Sequence, residues 1–176
     1  MKRVRLGPDE VFYRYLNPKW SHAPLSGAGS ASGGGRFNRP GVEALYLSRM
    51  AETALAEYAQ GSPIVPPATL AAYPLDLTDV VDLSAGFDAA IWSPEWAEWN
   101  CDWRAVARLD RKIPASWLLG DAAIRDGCQG LLFPSLRHAG GTNLVVFSAN
   151  LTADDRLEVH DPDGRLPRDQ RSWSET

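Results

Sequence analysis

Cysteine is scarce in this chain, with Cys101 and Cys128 the only two in 176 residues. Their separation matches no zinc-binding spacing, and both are expected as reduced thiols. Histidine is almost as thin: His22, His138 and His160 are scattered, and none pairs with a cysteine or an acid at metal-ligand spacing. No metal site is therefore expected. No apolar run approaches the roughly 20 residues of a membrane-spanning helix. The opening Met1-Lys2-Arg3-Val4-Arg5-Leu6-Gly7-Pro8 is basic but lacks the apolar stretch of a secretory signal. A cytoplasmic protein is expected. A basic excess is also missing, since the net charge is −4 and the isoelectric point about 5.3. Direct binding to nucleic acid is disfavoured, so a partner would have to do any DNA reading. The glycine run is not a P-loop, because no Gly-Lys-Ser/Thr follows it. Nor is it a dinucleotide fingerprint, because Ser32 stands where Gly27 and Gly29 would require a third glycine. There are no internal repeats.

What is present suits one globular domain. Hydrophobic residues make up 44% of the chain and mean hydropathy is −0.27. A chain of this length buries about two-thirds of its unfolded surface. Val11-Phe12-Tyr13-Arg14-Tyr15-Leu16 alternates like a strand, with Phe12, Arg14 and Leu16 on one face. An arginine between two apolar neighbours either snorkels from an edge or points into a polar cleft. Glu43 to Leu47 reads as a strand, and Ser48 as the cap of a helix running to about Gln60. Ala51, Ala54, Leu55 and Tyr58 form that helix's apolar stripe, and Glu57 lies well off its middle, where it suits a cleft rim. Residues 69–83 suggest two short strands around Thr78-Asp79, with Pro74 marking the first as an edge or bulged strand. A helix is expected from Trp103 to Leu109 and another from Pro114 to about Asp126, ended by Gly127. Strands follow at 129–134 and 143–147. Elements mix without regular alternation, so the class is α+β.

Three stretches are harder to read. Residues 17–41 are rich in Pro, Ser, Ala and Gly, and taken alone they read as a flexible linker. Trp92, Trp96, Trp99 and Trp103 crowd one segment, either as packing under a long loop or as a contact surface for a protein. Residues 152–176 are highly charged and read as a polar C-terminal tail with at most a short strand near 157–159. The catalytic domain is then 1–151.

The chemistry-bearing residues fall in order. Gly33-Gly34-Gly35-Arg36-Phe37-Asn38 sets an arginine on a loop whose backbone can approach a ligand closely. Arginine offers a planar fork of donors suited to phosphate. Tyr46 can stack on a flat ring, and the carboxylate of Glu57 can stabilise a developing sugar cation. Together these can hold and break a nucleotide–sugar bond. A two-carboxylate glycosidase would need an acid opposite Glu57, and neither Glu43, Glu52 nor Asp76 is singled out by spacing. A serine hydrolase fits poorly, because Ser135 sits in Pro-Ser-Leu rather than Gly-x-Ser-x-Gly.

The ordered set of Tyr13-Arg14, Gly34-Gly35-Arg36-Phe37-Asn38, Leu45-Tyr46-Leu47-Ser48, Ala54-Leu55-Ala56-Glu57, Phe133-Pro134-Ser135 and Asn143-Leu144-Val145-Val146-Phe147 resembles the RES domain, a family named for an arginine, a glutamate and a serine. The resemblance spans about three-quarters of the chain, but not the tryptophan-rich middle. It implies a fold like the diphtheria-toxin-type ADP-ribosyltransferases and the toxin of a bacterial toxin–antitoxin pair. It further implies NAD as substrate, either degraded with water or phosphate or used to transfer ADP-ribose to a protein acceptor. The implied partner is an antitoxin carrying a helix-turn-helix DNA-binding domain, which would block the cleft. Carried onto this sequence, Glu57, Arg36 and Ser135 correspond to catalytic positions. Arg14, Tyr15, Tyr46 and Asn143 complete the implied NAD-binding set. Arg36 and Arg14 would hold the pyrophosphate, Tyr46 would stack on nicotinamide, Glu57 would face its ribose, and Ser135 would bond the ribose or carboxamide. The opposing expectation is a non-catalytic module that keeps the fold to hold a nucleotide or a partner.

Overall fold

Two long strands lie against each other and organise the molecule, a computed structural model that describes residues 1–171. Strand β1 is Arg3–Leu16 and β3 is Thr69–Asp82, paired antiparallel from Arg3↔Val81 to Leu16↔Thr69. Between them in the chain come helix α1 (Ala28–Gly33), strand β2 (Ala44–Ser48) and helix α2 (Ala51–Ala59). After β3 follow α3 (Trp103–Arg108), α4 (Ala115–Arg125), β4 (Gly130–Pro134), β5 (Thr142–Phe147) and the short β6 (Arg156–Leu157). The sheet order is β1-β2-β5-β4-β3-β6, and the β1–β3 pairing closes the first five strands into a barrel. Among the described residues only the β3–β4 pairing is parallel, and the two strands are joined by the crossover that carries α3 and α4. The result is an α+β domain with a barrel core.

Burial follows the period-2 alternation of the strands. Leu45, Leu47, Leu132, Leu144 and Val146 point inward with Phe12, Leu16, Tyr73, Leu75 and Leu77. Their alternates Ala44, Leu131, Phe133, Val145 and Phe147 point outward into a second buried layer under α4. Strands β4 and β5 are therefore apolar on both faces, which explains their uninterrupted hydrophobic sequences. Trp92, Trp96 and Trp99 fill the second layer and Trp103 is buried nearby, so the tryptophans act as packing.

Several local expectations change. Strand β1 begins eight residues before Val11, because register irregularities between Val4 and Glu10 absorb Gly7-Pro8-Asp9. The two strands expected around Thr78-Asp79 are one, but the pairing with β1 slips at those two residues, where Asp79 N–H donates to Gln129 Oε1 at 2.9 Å instead. Pro74 is not at an open edge. Its carbonyl accepts from Glu158 N–H at 3.2 Å, so its missing donor lies toward the tail and spares the ladder to β1. Ser48 does not cap α2; it ends β2, and the N-cap is Met50. Helix α2 buries Thr53 and Ala54, while Leu55 is exposed. Within the polar tail, β6 pairs with Leu75 and Asp76, and Leu157 and Val159 pack on the barrel. Residues 172–176 of the tail lie outside the described residues.

The stretch 17–41 is built rather than slack. It contains α1 and a 3-10 turn at Pro18–Trp20. Gly35 N–H bonds Asn38 O at 2.9 Å, and Trp117 Nε1 donates to Gly35 O at 2.7 Å. The buried Asn38 amide donates to Ser30 O at 3.0 Å and Val42 O at 2.8 Å. Neighbouring carbonyls thus replace the secondary structure that the sequence lacks there. Arg39 pairs with Asp121 on α4 at its outer end.

Candidate active site

Strands β1 and β2 meet only at Tyr13↔Ser48. A cleft of about 560 Å³ opens at this seam, bounded by the end of β1, the Gly34–Arg36 loop, α2, the start of β5 and residues 100–104. Arg14, Tyr15, Arg36, Tyr46, Glu57 and Asn143 all line it, and Ser135 reaches Glu57 at its floor. The fold thus gathers all seven expected residues around one cavity.

Glu57 projects from α2 onto a prepared cradle. Ser135 Oγ donates to Glu57 Oε1 at 2.7 Å, and Asn143 Nδ2 donates to the same oxygen at 2.7 Å. Ser135 Oγ also accepts from the N–H groups of Arg137 at 3.1 Å and His138 at 3.0 Å, which leaves its proton for Glu57. The loop from Ser135 to Gly141 is closed by Ser135 N–H to Gly141 O at 2.8 Å and joined to α2 by Thr53 and His138, whose Oγ1 and Nδ1 lie 2.8 Å apart. Because both donors converge on Oε1, Oε2 makes no hydrogen bond among the described residues and remains for a ligand.

Two arginines face this carboxylate's cavity without a carboxylate of their own. Arg14 Nη1 donates to Ser26 O at 3.3 Å, and neither Arg14 nor Arg36 forms an ion pair among the described residues. Arg14 therefore takes the cleft-facing of its two expected positions. Arg36 Nη1 donates to the carbonyls of Trp99 at 3.3 Å and Cys101 at 2.9 Å, so the tryptophan-rich segment buttresses it. Burial lowers the pKa of Arg14, with Tyr73 partly compensating. Burial likewise lowers that of Arg36, against the neighbouring Cys101, Tyr46 and Glu57. Both stay cationic, because guanidinium is too basic to lose its proton in a protein. Two desolvated cations with unused donors make a site for an anion. Arg104 and Arg137 add positive charge to the lining, against only Glu57 and Asp102. The cleft is thus basic in an acidic protein, and low-dielectric walls focus that field.

Tyr46 has a second task beside offering its ring to the cleft. Its hydroxyl accepts from Phe37 N–H at 2.9 Å and donates to Asn38 Oδ1 at 2.8 Å. Burial pushes its pKa up, so it stays neutral and serves as a tether for the arginine loop. A Cβ on Gly35 would stand 2.5 Å from that hydroxyl, which explains the glycine beside Arg36. Across the cleft, Tyr15 lies 6.0 Å from Tyr58, centroid to centroid. Tyr58, a member of the apolar stripe of α2, also lines the cleft, as do Arg104 and Arg137, which no local pattern singles out; for Tyr58 the available signal is its adjacency to Glu57. Among the described residues, no group of three His, Cys, Asp or Glu side chains is arranged to hold a metal, and no helix is long and apolar enough to cross a membrane.

The model of the RES domain matches residues 11–169. The chain belongs to the RES-domain family. This RES domain is also similar to a chain in the crystal structure of the M. tuberculosis MbcT–MbcA toxin–antitoxin complex, at 27% identity and a TM-score of 0.57. The similarity covers 86% of this chain and 81% of that one. No curated protein matches the sequence. The matched family region includes β6 and most of the tail.

Proposed function

We propose that this RES-domain protein is the toxin of a toxin–antitoxin pair, and that its cleft binds NAD and breaks the nicotinamide–ribose bond. Its barrel is then a variant of the diphtheria-toxin-type ADP-ribosyltransferase fold. Family membership and the similarity to a toxin–antitoxin complex support the reading. The observation that carries it is the juxtaposition of a fixed carboxylate, Glu57, with the unpaired guanidiniums of Arg14 and Arg36 in one cleft. A dinucleotide offers a pyrophosphate for the arginines and a ribose for the carboxylate.

The nicotinamide ring of NAD is a cationic leaving group, so its departure needs no strong general acid. The C–N electron pair leaves with the ring and neutralises it, and positive charge develops on the ribose. Glu57 stabilises that charge, and its unbonded Oε2 can hold a ribose hydroxyl. Ser135 and Asn143 keep the carboxylate oriented, so little reorganisation accompanies the reaction. Arg36 and Arg14 hold the pyrophosphate with the donors left over from their carbonyl contacts. The ring of Tyr46 covers nicotinamide while its hydroxyl fixes the Arg36 loop, and Tyr15 with Tyr58 forms an aromatic wall. The acceptor, a protein side chain, water or phosphate, bonds to the ribose carbon and releases its proton.

The partner is an antitoxin with a helix-turn-helix domain, which supplies the DNA contact disfavoured by this acidic chain and blocks the cleft near Arg36. The protein acts in the cytoplasm, where NAD is available. Nicotinamide release from NAD tests the reading, measured with phosphate, without phosphate, and with cell extract plus labelled NAD. Phosphate-dependent release identifies a phosphorylase, release in plain buffer a hydrolase, and label on a protein a transferase. No release under any condition, with Glu57→Gln indistinguishable from the parent, overturns it.

A further inference from the structure

Ser48 is one of the few polar side chains buried in the fold, 3% exposed; it lies at the cleft lining, and its hydroxyl bonds Asn143 rather than Glu57. It occupies the position in β2 that pairs with Tyr13 on one side and Asn143 on the other. Its hydroxyl donates to Asn143 Oδ1 at 2.7 Å. The Asn143 amide, itself 4% exposed, then donates from Nδ2 to Glu57 Oε1 at 2.7 Å. Hydroxyl, amide and carboxylate form a chain in which each donor polarises the next.

We propose that Ser48 is a positioning residue for Glu57, acting through Asn143. An ionised carboxylate can only accept, so Asn143 must present its NH2 group to Glu57 and its oxygen the other way. Without Ser48, that oxygen is buried with no donor. The amide can relieve this only by rotating, which turns an acceptor toward Glu57 and weakens the cradle. The serine also ties the carboxylate to the β1–β2 seam, where the barrel opens to form the cleft. A packing role alone would leave the hydroxyl replaceable by hydrogen. The inference deepens the proposed reaction and rests on it for its kinetic arm only.

The variants are Ser48→Ala, Ser48→Cys and Asn143→Ala, measured for nicotinamide release and by NMR of the Asn143 side-chain amide. Ser48→Ala is expected to lower kcat about tenfold with KM for NAD within about twofold, the scale of one hydrogen bond serving a charged group. Ser48→Cys, a similar-sized but weaker donor, is expected to fall between, and it substitutes if the alanine variant does not fold. In an Asn143→Ala background, Ser48→Ala is expected to change kcat less than about twofold, because the path is already cut. The Asn143 Nδ2 protons are expected to exchange slowly in the parent and fast in Ser48→Ala. Parent-like kcat in Ser48→Ala, a full tenfold loss in the Asn143→Ala background, or unchanged exchange overturns the proposal. If the parent releases no nicotinamide, the reaction fails as a reading, and the exchange measurement still decides whether Ser48 holds Asn143.

Discussion

Ser135 donates its hydroxyl proton to Glu57 Oε1 across 2.7 Å, although the two residues are 78 positions apart in the chain. The serine can do so because two backbone N–H groups, those of Arg137 and His138, occupy its acceptor side. The carboxylate is therefore held by an element from the opposite end of the domain, and the cleft is assembled only when α2 docks against the β4–β5 loop.

Glu57→Gln preserves size and an oxygen that can still accept from Ser135 and Asn143. Nicotinamide release is expected to fall by about 100-fold or more, on the scale of one preorganised electrostatic group. Thermal midpoint is expected to stay close to the parent's. Turnover within a few-fold of the parent in a folded variant would remove Glu57 from the reaction.

Ser135→Ala and Asn143→Ala remove the two donors to one oxygen. Each is expected to lower kcat about tenfold, and the double variant is expected to lose less than the product of the two. Both act on the same carboxylate, so once it is free the second loss matters less. Strict multiplicativity in steady-state kinetics would show that the two residues serve separate functions.

Arg14 and Arg36 are half-buried cations that form no ion pair among the described residues, so each opposes folding to some degree in the absence of ligand. Arg14→Met is expected to leave the thermal midpoint equal or higher while weakening ADP-ribose binding by about tenfold or more, as read by calorimetry. Arg36→Lys is expected to bind poorly as well, because a point ammonium cannot match the planar fork. Arg36 substitutions should also weaken antitoxin affinity; unchanged affinity would place the antitoxin elsewhere. Undiminished ADP-ribose binding in both variants would remove the anion site.

Tyr46→Phe keeps the aromatic face and deletes the hydroxyl that joins Phe37 N–H to Asn38. Stability is expected to fall by about 1–3 kcal/mol, the cost of leaving buried polar groups without partners. KM for NAD is expected to rise because the loop carrying Arg36 loosens. An unchanged KM with full stability would assign Tyr46 to ring contact alone.

Gly120→Ala tests how tightly that loop sits on α4. The new Cβ would meet Phe37 O at 1.8 Å, so the loop must move. A loss of about 1–3 kcal/mol is expected, typical of overpacking, together with weaker ADP-ribose binding. A parent-like melting curve would mean that the loop yields without cost.

The sequence was legible where local periodicity and spacing carry the information. The strand at Val11–Leu16, the helix before Gly127, the apolar strands β4 and β5, and the polar position of Glu57 follow from alternation, caps and helical phase. Residue chemistry singled out Arg36, Tyr46 and Glu57, and the resemblance to the RES domain added Arg14, Ser135 and Asn143. Local pattern misjudged residues 17–41, because side chains outside the stretch, Tyr46 and the far more distant Trp117, fix them. It split β3 at Thr78-Asp79, where the pairing with β1 does slip but the distant Gln129 side chain takes the Asp79 N–H and the strand continues. The tryptophans could not be assigned to packing or to contact until the second buried layer beneath α4 was visible.

Residue type and order by themselves determined which groups are available here: two arginines, one carboxylate, an aromatic and the small polar residues around them. Only the tertiary structure decided how they are used. Closure of β1 on β3, divergence of β1 from β2 beyond Tyr13 and Ser48, and docking of α2 on the β4–β5 loop bring them to one cavity. Hydrogen bonds act over about 3 Å and burial depends on every neighbour at once. Which oxygen of Glu57 is held, and which guanidinium goes unpaired, are therefore properties of the folded chain.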